Sequence, residues 1–159
     1  MIKNLSLAAL AAFINVPAFA ADTVNINVRG TMTRPPCTLT SATALTANFN
    51  SVRTDEISSA PVVSVPVKMT CPSGSSLNMS FTSTNGTISA TVAKTNVTNL
   101  GVALLYASDS SAANMEGVKK AFTGLNGSVD LSLNAKLVST GTVAVGSYSS
   151  ALVLTIDYL

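Results

Sequence analysis

The sequence predicts an all-β domain, and three observations carry that prediction. Several short segments alternate apolar and polar side chains with a period of two, as strands with one buried face do. Polar turn residues separate these segments, and no segment shows a sustained helical period. Val, Ala and Leu occur among many Ser, Thr and Asn residues, which is typical of such strands. A chain of 159 residues provides enough sequence for one domain, and we expect a β-sandwich.

The first twenty residues have the features of a secretory signal peptide. Lys3 supplies a positive charge, residues 5–16 are mostly apolar, and Ala18-Phe19-Ala20 has the small-x-small form of a cleavage site. The apolar run is too short to span a bilayer. We therefore expect cleavage after Ala20, export of the mature chain and no membrane insertion.

The mature chain begins with an alternating segment that predicts a strand. Its apolar or small positions are Val24, Ile26, Val28, Gly30 and Met32. Pro35-Pro36 ends the segment, because proline cannot donate a ladder hydrogen bond. The pattern alone favours an ordinary first strand that pairs within its own sheet. Residues 38–50 predict at most a weak strand, and residues 51–61 predict a loop.

The middle of the chain predicts adjacent antiparallel strands. One face of the first strand carries Val63, Val65, Val67, Met69 and Cys71, and the pattern continues at Leu77, Met79 and Phe81. Pro66 indicates a sheet edge or a bulge within this strand. Asn85-Gly86 predicts a hairpin turn that leads to a strand with Ile88, Ala90 and Val92.

The remaining segments complete the predicted sandwich. Residues 102–106 are continuously apolar and predict a strand that is buried on both faces. Residues 107–127 predict a polar surface excursion with at most one helical turn, and residues 141–150 predict a flexible connection. The two remaining strands have their apolar positions at Val129, Leu131, Leu133, Ala135 and Leu137, and at Leu152, Leu154, Ile156 and Tyr158.

The two cysteines predict a disulfide. Cys37 and Cys71 are an even number in a chain that we expect to be exported, and neither belongs to a CxxC pair. Two buried thiols are the alternative. A disulfide would place the protein in an oxidising compartment, the periplasm or the cell exterior.

The composition argues against catalysis, metal binding and nucleic-acid binding. The chain has no histidine, and its seven acidic residues are scattered, with Asp55-Glu56 as the only adjacent pair. No GxSxG or SxxK motif is present to activate a serine. Nine basic residues nearly balance the acidic ones, so nothing attracts nucleic acid or an anionic membrane. We expect no enzyme activity, no metal and no cofactor.

The two ends of the mature chain carry a family resemblance. Ala21-Asp22 precedes the alternating residues 24–30, which Pro36-Cys37-Thr38 follows. Near the other end, Gly146 is fourteenth from the C-terminus, and Tyr158 is penultimate. Together these features resemble the chaperone–usher pilus subunits, the fimbrial proteins of Gram-negative bacteria, over the whole mature chain.

The resemblance implies an incomplete immunoglobulin-like sandwich that lacks its last strand. A signal peptide would occupy residues 1–20, an N-terminal donor-strand extension residues 21–34 and the pilin domain residues 35–159. The donor face would be Val24, Ile26, Val28, Gly30 and Met32, with Gly30 at the place where the acceptor groove admits no side chain. The groove and chaperone-binding residues would be Gly146, Leu152, Leu154, Ile156, Tyr158 and Leu159.

The resemblance also implies partners and a location. The partners would be a periplasmic pilus chaperone, an outer-membrane usher and neighbouring pilus subunits, including the tip adhesin. The subunit would pass through the periplasm and be assembled on the cell surface by donor-strand exchange.

Three segments look most like minor tip subunits of P-type pili, in particular the adaptor that joins the adhesin to the tip fibre. They are residues 26–30, 35–38 and 99–104. A major rod subunit of the same family is one alternative. A self-contained exported β-sandwich binding module is another, from a different functional class.

Overall fold

The computed structural model describes residues 23–32 and 37–159, which belong to two separate units of the chain. Residues 23–32 form neither a helix nor a strand. The predicted signal peptide, the Ala21-Asp22 start and Pro35-Pro36 lie outside the described residues.

Residues 37–159 form nine strands and a single 3-10 turn, Ile57–Ser59. The strands are β1 (Thr38–Leu39), β2 (Val63–Val65), β3 (Lys68–Ser83), β4 (Thr87–Ser89), β5 (Val92–Lys94), β6 (Leu100–Tyr106), β7 (Lys120–Asp130), β8 (Leu133–Ser139) and β9 (Leu152–Tyr158). The predicted all-β class is confirmed. The weak strand expected within residues 38–50 is limited to β1.

The first sheet is built around β3. Residues 77–79 of β3 pair with β7 and also with β9, so these two strands flank β3 on opposite sides. β1 pairs with residues 69–70 of β3, which also pair with β7, and therefore lies on the same side as β9. All of these pairings are antiparallel.

The second sheet has the strand order β2-β8-β6-β5-β4, again antiparallel. β6 lies inside this sheet, and its residues are buried except for the half-buried Leu105. The predicted strand at residues 102–106 is therefore confirmed. At Gly101 there is no room for a side chain, because an added Cβ would lie 2.8 Å from the carbonyl oxygen of Ala93.

Two neighbouring segments of the chain cross from one sheet to the other side by side. β2 pairs with β8 in the second sheet, and their continuations, β3 and β7, pair in the first. At the crossing, the Leu131 amide donates to the Val67 carbonyl oxygen at 2.8 Å, and the Val67 amide donates to Ser132 Oγ at 3.2 Å. The prediction of one strand through residues 63–71, and of another through residues 129–137, is wrong in this respect. Each run is two strands in different sheets.

The core lies between the two sheets and contains side chains from both. The first sheet contributes Met69, Leu77, Met79 and Phe81, and the second contributes Leu104, Tyr106, Leu133, Ala135 and Leu137. The Phe81 and Tyr106 rings meet edge to face across the core, with 6.2 Å between their centroids. Cys37 and Cys71 are buried and form the predicted disulfide.

The predicted hairpin at Asn85-Gly86 is wrong. The turn exists, and Gly86 has the positive φ of 77° that such turns require. However, β3 before the turn belongs to the first sheet, whereas β4 after it belongs to the second. The single strand predicted over Ile88, Ala90 and Val92 is instead two short strands, β4 and β5. The fully buried residue of this region is Ala93, in β5.

The surface excursion is shorter than predicted. Residues 107–119 make the excursion without any helix, and β7 begins at Lys120. Polar residues and three glycine or asparagine positions hid this strand, because β7 has few buried side chains. The predicted loop at residues 51–61 and the predicted connection at residues 141–150 are confirmed, with the 3-10 turn inside the former.

Candidate functional site

An open groove of about 790 Å³ runs beside β9. One wall comes from residues 39–49, which include Leu45 and Phe49, and the other wall is β9. The floor of the groove is formed by core residues, among them Val67, Phe81 and Leu104. A packed interior leaves few voids larger than a water molecule. The groove therefore exposes part of the core that a further strand could cover.

β9 has one unpaired edge. Among the residues that the structure describes, its only ladder partner is β3, and the pairing runs from Leu77 with Tyr158 to Ser83 with Leu152. The opposite edge of β9 faces the groove wall formed by residues 39–49 without a ladder between them. An edge of this kind offers a row of N–H and C=O groups to an added strand.

The side chains of β9 that line the groove are apolar and incompletely covered. Leu152, Leu154 and Ile156 pack against the core but are only half-buried. Among the residues that the structure describes, none of those lining the groove is charged. The groove is therefore chemically suited to a strand with apolar side chains on one face.

The structure brings together some of the predicted groove residues and separates others. Leu152, Leu154 and Ile156 line the groove. Tyr158 packs against the core beyond the groove lining. Leu159 is 69% exposed, and its amide donates to the Ser76 carbonyl oxygen at 3.1 Å.

Gly146 lies in a second, smaller cavity of about 370 Å³. Tyr148 lines both this cavity and the groove, so the two are neighbours. Gly146 has a φ of 148°, which L side chains rarely adopt. Gly146, which was predicted as a groove residue, therefore lies next to the groove and not in its lining. Its backbone conformation is a separate reason for a glycine at this position.

The groove wall at residues 39–49 was missed by the sequence prediction. Every odd position from Leu39 to Phe49 lines the groove, with Ser41 and Thr43 as the polar ones, and Ala42 and Thr46 line it as well. This is a period of two, but the polar residues weaken it. An alternation that tolerates Ser and Thr could have found this wall.

The segment of residues 23–32 carries the other predicted set. Val24, Ile26, Val28 and Met32 are 81%, 82%, 90% and 102% exposed. Four large apolar side chains at alternating positions are thus available for burial elsewhere.

An ion pair holds the C-terminal end of β9 on the face away from the groove. Lys119 Nζ lies 2.8 Å from Asp157 Oδ2, and Asp157 follows the groove-lining Ile156. Both side chains are partly exposed, so the pair contributes at most about 1 kcal/mol. It links the end of β9 to the residue that precedes β7.

The described part of the chain shows no other chemical site. Residues 23–32 and 37–159 contain no group of three or more acidic or cysteine side chains placed to hold a metal. Within the same residues, no helix has the length and apolar character needed to cross a membrane.

A family model described as fimbrial protein matches residues 26–158. The chain belongs to the fimbrial protein family. It is a structural, non-enzymatic subunit of a pilus assembled on the cell surface, and it associates with other pilus subunits. A search of the curated proteins found no match.

Solved structures place this fimbrial protein in the fold of chaperone–usher pilus subunits. The P pilus rod subunit PapA matches with a TM-score of 0.66 and 15% identity, over 78% of this chain and 99% of that one. A structure of a chaperone–usher pilus matches with a TM-score of 0.67 and 13% identity, over 91% and 100%. The P pilus adaptor subunit PapF matches with a TM-score of 0.57 and 19% identity, over 79% and 97%.

The structural matches confirm the immunoglobulin-like sandwich, and the family model confirms the identification as a fimbrial subunit.

Proposed function

We propose that this fimbrial protein polymerises by donor-strand exchange, with residues 21–34 as the donated arm and the groove beside β9 as the acceptor. The observation that carries the proposal is the unpaired edge of β9 beside an uncharged groove that reaches the core. Addition of a strand from another subunit is a known mode of recognition at such edges.

The dimensions of the arm and of β9 agree. β9 has seven residues and extends over roughly 23 Å at about 3.3 Å per residue. Residues 24–32 of the arm would extend over roughly 30 Å at the same rise. The arm is therefore long enough to pair with the whole of β9.

The expected stabilisation is large compared with that of a domain. Burial of Val24, Ile26, Val28 and Met32 at about 1.5–3 kcal/mol each would contribute roughly 6–12 kcal/mol before ordering costs. The net stability of a whole domain is about 5–15 kcal/mol. A subunit with an empty groove would accordingly be marginally stable and prone to aggregate.

That marginal stability motivates the other proposed partners. A periplasmic chaperone would fill the groove first and bind the carboxylate of the exposed Leu159. An outer-membrane usher would then be the place where an incoming arm replaces the chaperone. Residues 1–20 would direct the chain into the periplasm and be removed there, leaving the arm of residues 21–34 and the domain of residues 35–159.

Within the pilus, we assign the chain to the minor tip subunits, as an adaptor that supports display of the adhesin. The support is the likeness of residues 26–30, 35–38 and 99–104 to that group. An adaptor would give its arm to the adhesin and accept the arm of the subunit below. A rod subunit is the second candidate, because the rod subunit PapA shares the fold over 99% of its own chain.

The test is deletion of residues 21–34. The groove lies in the other unit of the chain, so the truncated subunit should still co-purify with its chaperone. It should fail to donate a strand to any neighbour and should therefore be absent from positions below the adhesin. Normal incorporation of the truncated subunit into pili would overturn the proposal.

A second measurement separates the adaptor from the rod subunit. The chaperone-bound subunit is mixed with arm peptides from itself and from its sibling subunits, and release of the chaperone is followed. An adaptor should exchange with a sibling's arm and not with its own. Efficient exchange with its own arm would support the rod assignment instead.

A further inference from the structure

The chain contains two Asn-Gly dipeptides in different environments. They are Asn85-Gly86 and Asn126-Gly127. In this dipeptide the backbone nitrogen of glycine can approach the asparagine side-chain amide, because glycine has no side chain to obstruct it. Asparagine is for this reason among the thermolabile residues of proteins.

The Asn85-Gly86 dipeptide lies in an exposed turn with a weakly held glycine nitrogen. Both residues are exposed, and Gly86 has a φ of 77°. The Gly86 amide donates to the Ser83 carbonyl oxygen at 3.4 Å, which is longer than an ordinary N–H···O bond. Little structure must be broken before this nitrogen can attack the Asn85 side chain.

Asn126-Gly127 is also exposed but lies within β7. Gly127 is opposite Cys71 in the ladder between β3 and β7, and Cys71 is fixed by its disulfide to Cys37. Asn126 itself lies at a register shift and has no ladder partner, but Gly127 is held in the ladder, so attack by its nitrogen requires local opening at Gly127.

We propose that Asn85 is a site of spontaneous deamidation and that the reaction loosens the start of β9. The Gly86 nitrogen forms a bond to Asn85 Cγ, and the bond from Cγ to the amide nitrogen breaks. The displaced nitrogen leaves as ammonia and takes the Gly86 amide proton with it. Water then opens the resulting succinimide to aspartate or to isoaspartate, in which the backbone runs through Cγ. No oxidant or reductant takes part.

The turn around Asn85 is bonded directly to the chain that enters β9. The Thr84 amide and Thr84 Oγ1 both donate to the Ala151 carbonyl oxygen, at 3.0 and 3.1 Å. Ser83 pairs with Leu152, the first residue of β9. A change in the backbone at Asn85 is thus transmitted through two neighbouring residues to the groove strand.

A second set of bonds reaches the same chain from the other side of the turn. The Gly86 carbonyl oxygen accepts from the Lys94 amide at 3.0 Å, and the Lys94 carbonyl oxygen accepts from Ser150 Oγ at 2.7 Å. Isoaspartate adds one backbone carbon between these two sets of bonds. It also adds a negative charge two residues before Thr87, whose Oγ1 donates to Glu116 at 3.2 Å. Both changes act against the present turn geometry.

The experiment incubates the purified, folded protein at mildly alkaline pH. Peptide mass mapping and an isoaspartate-specific methylation assay then follow the two sites. A denatured sample of the same chain provides the intrinsic rates. We expect product at Asn85 to form more than about tenfold faster than at Asn126 in the folded protein, because reaction at Asn126 must wait for the ladder to open. The two sites should react at similar rates in the denatured chain.

Two variants and one exchange measurement complete the test. N85Q should abolish the fast product, because attack of the backbone nitrogen on a glutamine side chain would have to form a larger ring. N126Q should leave the fast product at Asn85 unchanged. Hydrogen exchange should then show faster exchange at Leu152 and Val153 in the aged wild type than in aged N85Q. Equal rates at Asn85 and Asn126 in the folded protein would overturn the proposed site. Unchanged exchange at Leu152 after complete reaction would overturn the coupling to β9.

Discussion

Leu154 lies directly opposite Phe81 in the pairing of β9 with β3, and both residues line the groove. Opposite residues in an antiparallel pair project from the same face of the sheet. Phe81 is buried and Leu154 only half-buried, so the groove is open over Leu154 and closed beneath Phe81. A side chain from an added strand would therefore cover Leu154 and could reach inwards as far as Phe81.

The first prediction concerns Leu154→Asp. The substitution places a charge in a groove whose lining has none, and the charge would lose its hydration when a strand is added. The lost apolar burial is about 1.5–3 kcal/mol, so affinity for an arm peptide should fall more than about tenfold. Peptide titration of the purified subunit measures the change, and recovery of the chaperone complex from the periplasm should fall as well.

Thr155→Asp is the matched control for this prediction. Thr155 is the next residue of β9, but it is exposed and does not line the groove. The same charge at this position should leave peptide affinity within about twofold, since exposed substitutions usually change stability by less than 0.5 kcal/mol. Equal losses in the two variants would show that β9 tolerates no charge on either face, which contradicts the groove assignment.

The second prediction concerns the donated arm. Val28 is 90% exposed, so Val28→Asp should leave the stability of the subunit that carries it unchanged. In a neighbour's groove the same substitution should weaken binding by more than about tenfold, because one of four apolar side chains is lost. Exchange of arm peptides against the chaperone complex measures this effect.

Asn27→Asp, on the opposite face of the alternating segment, is the control for the arm. Its side chain would face away from the groove when Val28 faces into it. We expect an exchange rate close to that of the wild-type peptide. A loss at Asn27 as large as that at Val28 would contradict the proposed donor face.

The last strand was the most predictable part of the molecule, whereas the strand predicted over residues 24–32 is not formed in the structure. The alternation of Leu152, Leu154 and Ile156 predicted β9 with its correct face, because one side of that strand meets the core. The groove opposite β9 was not predictable from this alternation, since a half-buried strand has the same pattern whether its neighbour is present or absent. The family resemblance supplied that expectation.

The crossings between sheets were beyond the sequence pattern. In a sandwich both sheets turn one face to the same core, so Val65 and Met69 keep the same parity although they belong to β2 and β3. Pro66 was the single local signal of the break. The Asn85-Gly86 turn was misassigned for a related reason, because a turn residue fixes the local backbone but not the sheet of the next strand.

The third prediction concerns Gly101→Ala in β6. An added Cβ would lie 2.5 Å from Val92 Cγ1 and 2.8 Å from the Ala93 carbonyl oxygen, and the latter belongs to the paired strand β5. Overpacking of this kind costs about 1–3 kcal/mol. The free energy of unfolding of the peptide-filled subunit should fall by that amount.

Gly141→Ala is the control for Gly101. Its added Cβ would meet only the side chain of Asn99, with Nδ2 at 3.1 Å, and a shift of that side chain would cost at most its one exposed hydrogen bond, to the Thr142 carbonyl oxygen. We expect a change smaller than about 1 kcal/mol. An equal loss at the two glycines would indicate that backbone entropy, and not the close approach of β5, determines the effect.

The fourth prediction concerns the disulfide. Cys37 and Cys71 are 34 residues apart, and closing a loop of this size restricts the unfolded chain by about 4 kcal/mol in the chain-entropy model. Replacement of both cysteines by alanine should therefore lower the free energy of unfolding by about 2–5 kcal/mol. A reducing agent should destabilise the wild type and leave the double variant unaffected. If the reductant destabilised both equally, the loss would not come from the disulfide.

The fifth prediction concerns acid stability and Asp109. Hydrogen bonds from the Ser111 hydroxyl and amide, followed by one from Lys120 Nζ, lower the pKa of Asp109 from 3.8 to about 2. Because the folded pKa is depressed, the ionised carboxylate stabilises the fold above the unfolded pKa, and this contribution is lost as the pH falls from 3.8 to about 2. Asp109→Asn should therefore make stability less dependent on pH in that window.

Ser111→Ala separates the cause of this pKa from the presence of the carboxylate. It removes the hydroxyl donor at 2.6 Å but keeps the backbone amide at 2.9 Å and Lys120 Nζ at 3.1 Å. The pKa of Asp109 should rise towards its ordinary value, so the loss of stability in acid should be smaller than in the wild type and should be complete at a higher pH. Side-chain carboxyl NMR shifts across a pH titration measure the pKa directly. An unchanged Asp109 pKa in this variant would assign the depression to Lys120 and the backbone instead of the hydroxyl.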